Sequence, residues 1–164
     1  MKTSNITLGK DVAIDSSSTF NNVTIHDNVR IAKNCNIYGS NEHILEIGKE
    51  SYVGMHSLLN GYASKLIIGK NVSIAQNVNI MTDSGPNASK EMQEYFPLII
   101  GPITIGDHSW IGANSVIMPN VDLGEFCVVA ANSFVNKSFP SYSVIGGNPA
   151  HLIKSLIRNA NSKE

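Results

Sequence analysis

Bulky apolar residues recur along this chain with a spacing of six. They fall at Leu8, Ile14 and Phe20, at Ile25, Ile31 and Ile37, at Ile47, Val53 and Leu59, and at Ile68, Ile74 and Ile80. After a gap they resume at Ile105, Ile111 and Ile117 and at Leu123, Val129 and Val135. Four residues after most of them stands a smaller side chain, among them Val29, Cys35, Ser51, Ser57, Val78, Ser115 and Cys127. The residue directly after the apolar one is often glycine, as at Gly48, Gly54, Gly69, Gly106 and Gly112. A period of six matches neither the 3.6 of a helix nor the 2 of a long alternating strand. It matches a short strand and a corner, repeated three times per turn of a three-sided prism. Three large residues per turn then stack on the axis, small ones fill the corners, and backbone groups pair between turns. The six trios predict six coils.

Three departures interrupt the rhythm. "GSNEHILEI" and "NGYASKLII" are short bulges, whereas 82–102 is a long excursion, beginning in "NIMTDSGPNASKEMQEYFP". Within it "SKEMQEYF" reads as a short helix that Pro97 stops. A loop of that length inside a compact domain is usually functional. After Val135 the repeat ends. Pro140 and the Gly146–Gly147 pair turn the chain, and "AHLIKSLIRNA" spaces Leu152, Ile153, Leu156 and Ile157 as a helix would. The chain therefore divides into a β-helix domain over 1–145, interrupted by the loop at 82–102, and a C-terminal turn with a capping helix over 146–164.

Composition narrows the function classes. The 164 residues suit one domain with a real core. A net charge of −1 with 15% charged residues gives no basic face for nucleic acid. No apolar run approaches the roughly 20 residues of a membrane span, and the N-terminus has no signal-peptide core, so a cytoplasmic location is expected. Cys35 and Cys127 both occupy the small inward position and read as buried thiols, not as a disulfide or a nucleophile.

At "ITIGDHSWIGANSVIMPNVDLG" and "VIGGNPAHLI" the sequence resembles the hexapeptide-repeat acyltransferases, over nearly its whole length. That family folds as a single-stranded left-handed parallel β-helix. Within it the chain looks most like the single-domain sugar O-acetyltransferases of bacterial surface-polysaccharide synthesis. The resemblance implies a homotrimer, acetyl-CoA as co-substrate in the groove between prisms, no metal, and an excursion reaching over that groove. Transfer to a hydroxyl needs a general base and a donor to the oxyanion. The family usually places a histidine where the loop leaves the coil, but here the chain reads Thr82-Asp83-Ser84. The catalytic candidates are therefore His56, Asp83 and His108. A carboxylate serves as base near neutral pH only where its surroundings raise its pKa; otherwise it orients a histidine. His26, His43 and His151 read as surface residues.

Trp110 precedes an axial isoleucine and so faces outward; in the family it lines the transfer site. With Met55, Asn60, Tyr62 and Ser84 it makes up the expected acceptor side. The resemblance implies a donor side of Trp110, Gly112, Asn114, Ala130, Ala131, Asn148 and Pro149, with Lys137, Lys154 and Arg158 neutralising phosphates. The expected activity is an acetyl-CoA-dependent O-acetyltransferase acting on a sugar or sugar-containing precursor. An N-acyltransferase of an amino-sugar nucleotide is the alternative, less favoured because such relatives commonly carry an extra N-terminal domain while the coils here begin by residue 8. A catalytically inactive trimeric relative is a further alternative. A γ-class carbonic anhydrase is rejected, since its His-x4-His pair is missing.

Overall fold

The computed structural model describes residues 4–156. Short parallel strands stack into three sheets that form the faces of a prism. Face A carries Ile6–Leu8, Val23–Ile25, Leu45–Ile47, Leu66–Ile68, Ile103–Ile105 and Asp122–Leu123 in that order. Face B begins at Ala13–Ile14 and face C at Thr19–Asn21, each rising through the same six coils. Register is strict: Ile74 lies between Val53 and Ile111, and Ile80 between Leu59 and Ile117. The all-β solenoid and its six coils match the sequence reading.

Axial residues of coils two to six are buried, and the lowest coil is open, with Leu8 48% exposed. Face A holds a second buried row, Val23, Leu45, Leu66 and Ile103, two residues before the axial one. These strands are long enough for alternation to bring both ends inward.

Most corners turn through a residue of positive φ, whereas the exits from face C at 39–44 and 61–65 do not. Between faces B and C these are Asn34, His56, Asn77, Asn114 and Asn132, with φ from 56° to 61°. Asparagine and histidine enter this region more easily than most residues. The next residue points inward, and where it is serine it ties two coils together. Ser57 Oγ donates to Ala75 O at 3.0 Å and accepts from Val78 N at 3.2 Å. Ser51, Ser109 and Ser115 make the same bridge. Cys35 and Cys127 take this position too, their thiols donating to Gly54 O and Pro140 O.

The C-terminal reading is corrected. The repeat continues for part of a seventh turn, with Phe139 bridged to Leu123 and Ile145 paired with Val129. Then Ala150–Ser155 is not a capping helix but an antiparallel strand paired with Ser143–Gly147. The edge strand Ser143–Gly147 presents backbone groups that need partners, and a returning strand supplies them. The remainder of the helix reading, with Arg158, lies outside the described residues.

The long excursion leaves face C after Asn79–Met81. Its root is a two-residue antiparallel pair, Asp83–Ser84 with Ile99–Ile100. The expected helix forms at Lys90–Tyr95, its N-terminus capped by Ser89 Oγ accepting from Met92 N at 3.1 Å. The helix buries none of its residues in this chain.

Replacing Ile74 by alanine opens a void on the axis where no loop can collapse into it. The expected loss of unfolding free energy is about 2–5 kcal/mol, read by urea titration. The exposed Tyr62→Ala, off the axis, leaves the midpoint near wild type.

Candidate active site

The three candidate bases stand at three different corners. His108 lies between faces A and B, His56 between B and C, and Asp83 where face C hands the chain back to face A. His56 and Asp83 thus flank opposite edges of face C, more than about 10 Å apart given three-residue strands. They cannot hydrogen-bond to one hydroxyl within a single chain.

His108 belongs to an exposed stack of rings. It lies 4.7 Å from Phe126, which lies 5.1 Å from Tyr142, all nearly parallel. All three occupy the positive-φ position of their corners. Its imidazole is committed to packing along that edge.

His56 shares its corner with most of the expected donor-side residues. Two, three and four coils above it are Gly112 and Asn114, then Ala130 and Ala131, then Asn148 and Pro149. Asn114 Nδ2 donates to Asn132 Oδ1 at 3.2 Å, and His56 is the second member of this column of asparagines, after Asn34. Gly112 is required there: a Cβ would meet Ala131 N and Val129 O at 2.6 Å. Trp110, just before the corner on face B, is 56% exposed, as its outward phase predicts. Met55 is exposed beside His56. Successive rungs lie about 4.8 Å apart. Lys137 is not part of this column; it sits past face C with Nζ 5.5 Å over the Phe139 ring. Lys154 is exposed on the terminal strand.

Asp83 has its own surroundings. Asn60 Nδ2 donates to its Oδ1 at 3.1 Å, and Asn60 Oδ1 accepts from Tyr62 N at 2.9 Å. Buried Thr82 donates to Asn60 O at 3.1 Å, locking the point of departure. Ser84 is half-buried and pairs with Ile99. Below Asn60 in the same register lies Tyr38. Burial pushes its phenol pKa up, and the Asp83 carboxylate pushes it the same way, so it stays a hydrogen-bond donor at neutral pH. Sequence reasoning missed Tyr38, although its phase one coil below Asn60 was readable. The expected acceptor residues therefore split, Met55 and Trp110 to one edge of face C, and Asn60, Tyr62 and Ser84 to the other.

Comparison with known proteins matches this architecture. Residues 102–137 match the bacterial transferase hexapeptide (six repeats) family. Over those residues the chain carries the hexapeptide repeat of bacterial transferases, and its relatives are named as acetyltransferases. It is 37% identical over 122 residues to a putative acetyltransferase of Saccharomyces cerevisiae, covering 73% of this chain and 58% of that one. It is 35% identical over 120 residues to the galactoside O-acetyltransferase of Escherichia coli, covering 73% and 56%. The chain thus spans a little over half the length of these curated relatives. Among solved structures, AntD, an N-acyltransferase from Bacillus cereus in complex with dTDP and coenzyme A, superposes with a TM-score of 0.79. The identity is 25%, over 93% of this chain and 84% of AntD. Among the described residues, no helix is long and apolar enough to cross a membrane.

Both thiols lie inside the prism, and burial pushes each above its usual range. Neither is expected to react with a thiol reagent at mildly alkaline pH until urea unfolds the chain. Labelling followed by mass spectrometry checks this, and rapid labelling of the native chain contradicts it.

Proposed function

We propose that this chain is an O-acyltransferase that takes the acetyl group from acetyl-CoA and delivers it to a hydroxyl of a sugar or sugar-containing precursor. The observation that carries the reading is the column between faces B and C, where Gly112, Ala130 and Ala131 stand above His56 and beside exposed Trp110. Small side chains leave room along that edge for the narrow pantetheine arm, and the indole offers a flat wall to acyl group or sugar.

In the proposed reaction His56 takes the proton of the acceptor hydroxyl as its oxygen attacks the thioester carbon. The new C–O bond forms, the oxyanion collapses, the C–S bond breaks, and the leaving thiolate recovers the proton. Because His56 and Asp83 lie at opposite edges of one face, both serve one site only if they come from two copies. A three-fold assembly, with the excursion of one copy laid across the His56 column of the next, provides that. Exposed Met92, Tyr95, Phe96 and Leu98 favour such docking, since a helix with no buried residue lacks a partner in its own chain. Asp83 then orients the base or the acceptor.

A second reading, transfer to an amine of an amino-sugar nucleotide, is favoured by the likeness to AntD over 93% of this chain. The two readings differ in acceptor, not in donor or base.

The test follows thiol release from acetyl-CoA with sugars and sugar nucleotides as acceptors. His56→Asn keeps a residue suited to the positive-φ corner, so the change isolates chemistry from folding. Its kcat is expected to fall by about 10²–10⁴-fold. His108→Asn is expected to stay close to wild type, and Asp83→Asn to lose activity with the fold intact. A wild-type rate in His56→Asn rules this base out. A folded trimer that releases no thiol with any acceptor identifies an inactive relative.

A further inference from the structure

The chain leaves the prism at 39–44, at 61–65 and at 82–102, always between faces C and A and always one coil higher. The three departures therefore stack as neighbours. Between them lies an open cavity of about 490 Å³ lined by Asn22, Ser40, Asn41, Glu42, His43 and Tyr62, with Ile100 of the excursion on one side. That volume falls within the roughly 300–1,000 Å³ usual for ligand pockets. His43, expected on the surface, is half-buried here.

The lining is held in place. Asn5 Nδ2 donates to Asn22 Oδ1 at 2.9 Å and to Asn41 Oδ1 at 3.0 Å, which leaves the Asn41 NH₂ as a donor. Ser40 and His43 close the lower bulge on each other, at 2.8 Å between N and O and at 3.1 Å through Ser40 Oγ. Tyr62 is 63% exposed while its backbone N–H is tied through Asn60 to Asp83. Ile100 is the register partner of Asp83, so this side of the cavity belongs to the root of the excursion.

The chemistry of the lining selects a ligand. Amide donors, a carboxylate, an imidazole and a flat ring match vicinal hydroxyls and the apolar face of a pyranose. Among the described residues no lysine or arginine lines the cavity, and Glu42 adds negative charge. Lys65, the one cation of the two short bulges, lies 3.8 Å from Glu46. A diphosphate meets no cation there among the described residues. We infer that this cavity binds a neutral, hydroxyl-rich glycan and not a sugar nucleotide, with Tyr62 stacking on the ring and Asn41 and Glu42 holding its hydroxyls. Calling that glycan the acceptor rests on the acyl-transfer reading; its binding does not.

Saturation-transfer NMR on the full chain, with the methyl glycosides of galactose, glucose and N-acetylglucosamine and with UDP-galactose as probes, tests this. At least one methyl glycoside is expected to bind, to lose its signal with Tyr62→Ala, and to keep it with Tyr62→Phe. In steady-state assays Tyr62→Ala is expected to raise the acceptor KM by about tenfold while kcat and the acetyl-CoA KM hold. The inference is overturned if no methyl glycoside binds, if folded Tyr62→Ala binds them as well as wild type, or if UDP-galactose binds and Tyr62→Ala abolishes it. Thiol release with an unchanged acceptor KM in Tyr62→Ala defeats the cavity but keeps the transferase. Glycoside binding lost in Tyr62→Ala, without thiol release by wild type, does the reverse.

Discussion

A prism made from one strand must turn a corner three times per coil, and most of these corners pass through a residue with positive φ. Left-handed backbone costs an ordinary L-residue about 1–2 kcal/mol, which the short polar side chain of asparagine softens. Asparagine accordingly holds most of these sites, from Asn28 and Asn34 up to Asn120 and Asn132. The corner aims the next side chain inward, where Ser51, Ser57, Ser109 and Ser115 clamp the coil above. It also sets the phase that brings isoleucine onto the axis. Register, core and the vertical alignment of every exposed column descend from that turn.

The fold was therefore legible from spacing alone. Eighteen apolar positions spaced by six within their trios, most of them followed four residues later by a small side chain, leave little room for another architecture. The second buried row on face A escaped because its residues, such as Leu45 and Leu66, obey the period of two inside a strand. The C-terminal strand was misread because Leu152, Ile153 and Leu156 fit a helical spacing. What decided against a helix was an unpaired strand edge at Ser143–Gly147, a tertiary fact invisible in local sequence.

The site was legible by column and illegible by contact. Counting within the repeat puts His56, Asn114 and Ala131 on one edge and Asp83 on another. It does not say how bulges fold on themselves, which is why His43 looked like a surface residue and Tyr38 went unremarked. His108 resembled His56 in one dimension, since both sit one residue before an inward serine. In three dimensions the first is a rung of stacked aromatics and the second a rung of amides. The large positive-φ residues Phe126 and Tyr142 mark a place where packing outweighed backbone preference.

The three departures share one further property. Each returns the chain to face A in the register it would have had without them, as when Leu45 pairs with Val23 and Ile103 with Leu66. That margin can gain or lose residues while the axis and the opposite edge keep their geometry. The molecule behaves like a bound book with one uncut edge: its spine fixes the order of the pages, and that margin alone is free to be rewritten.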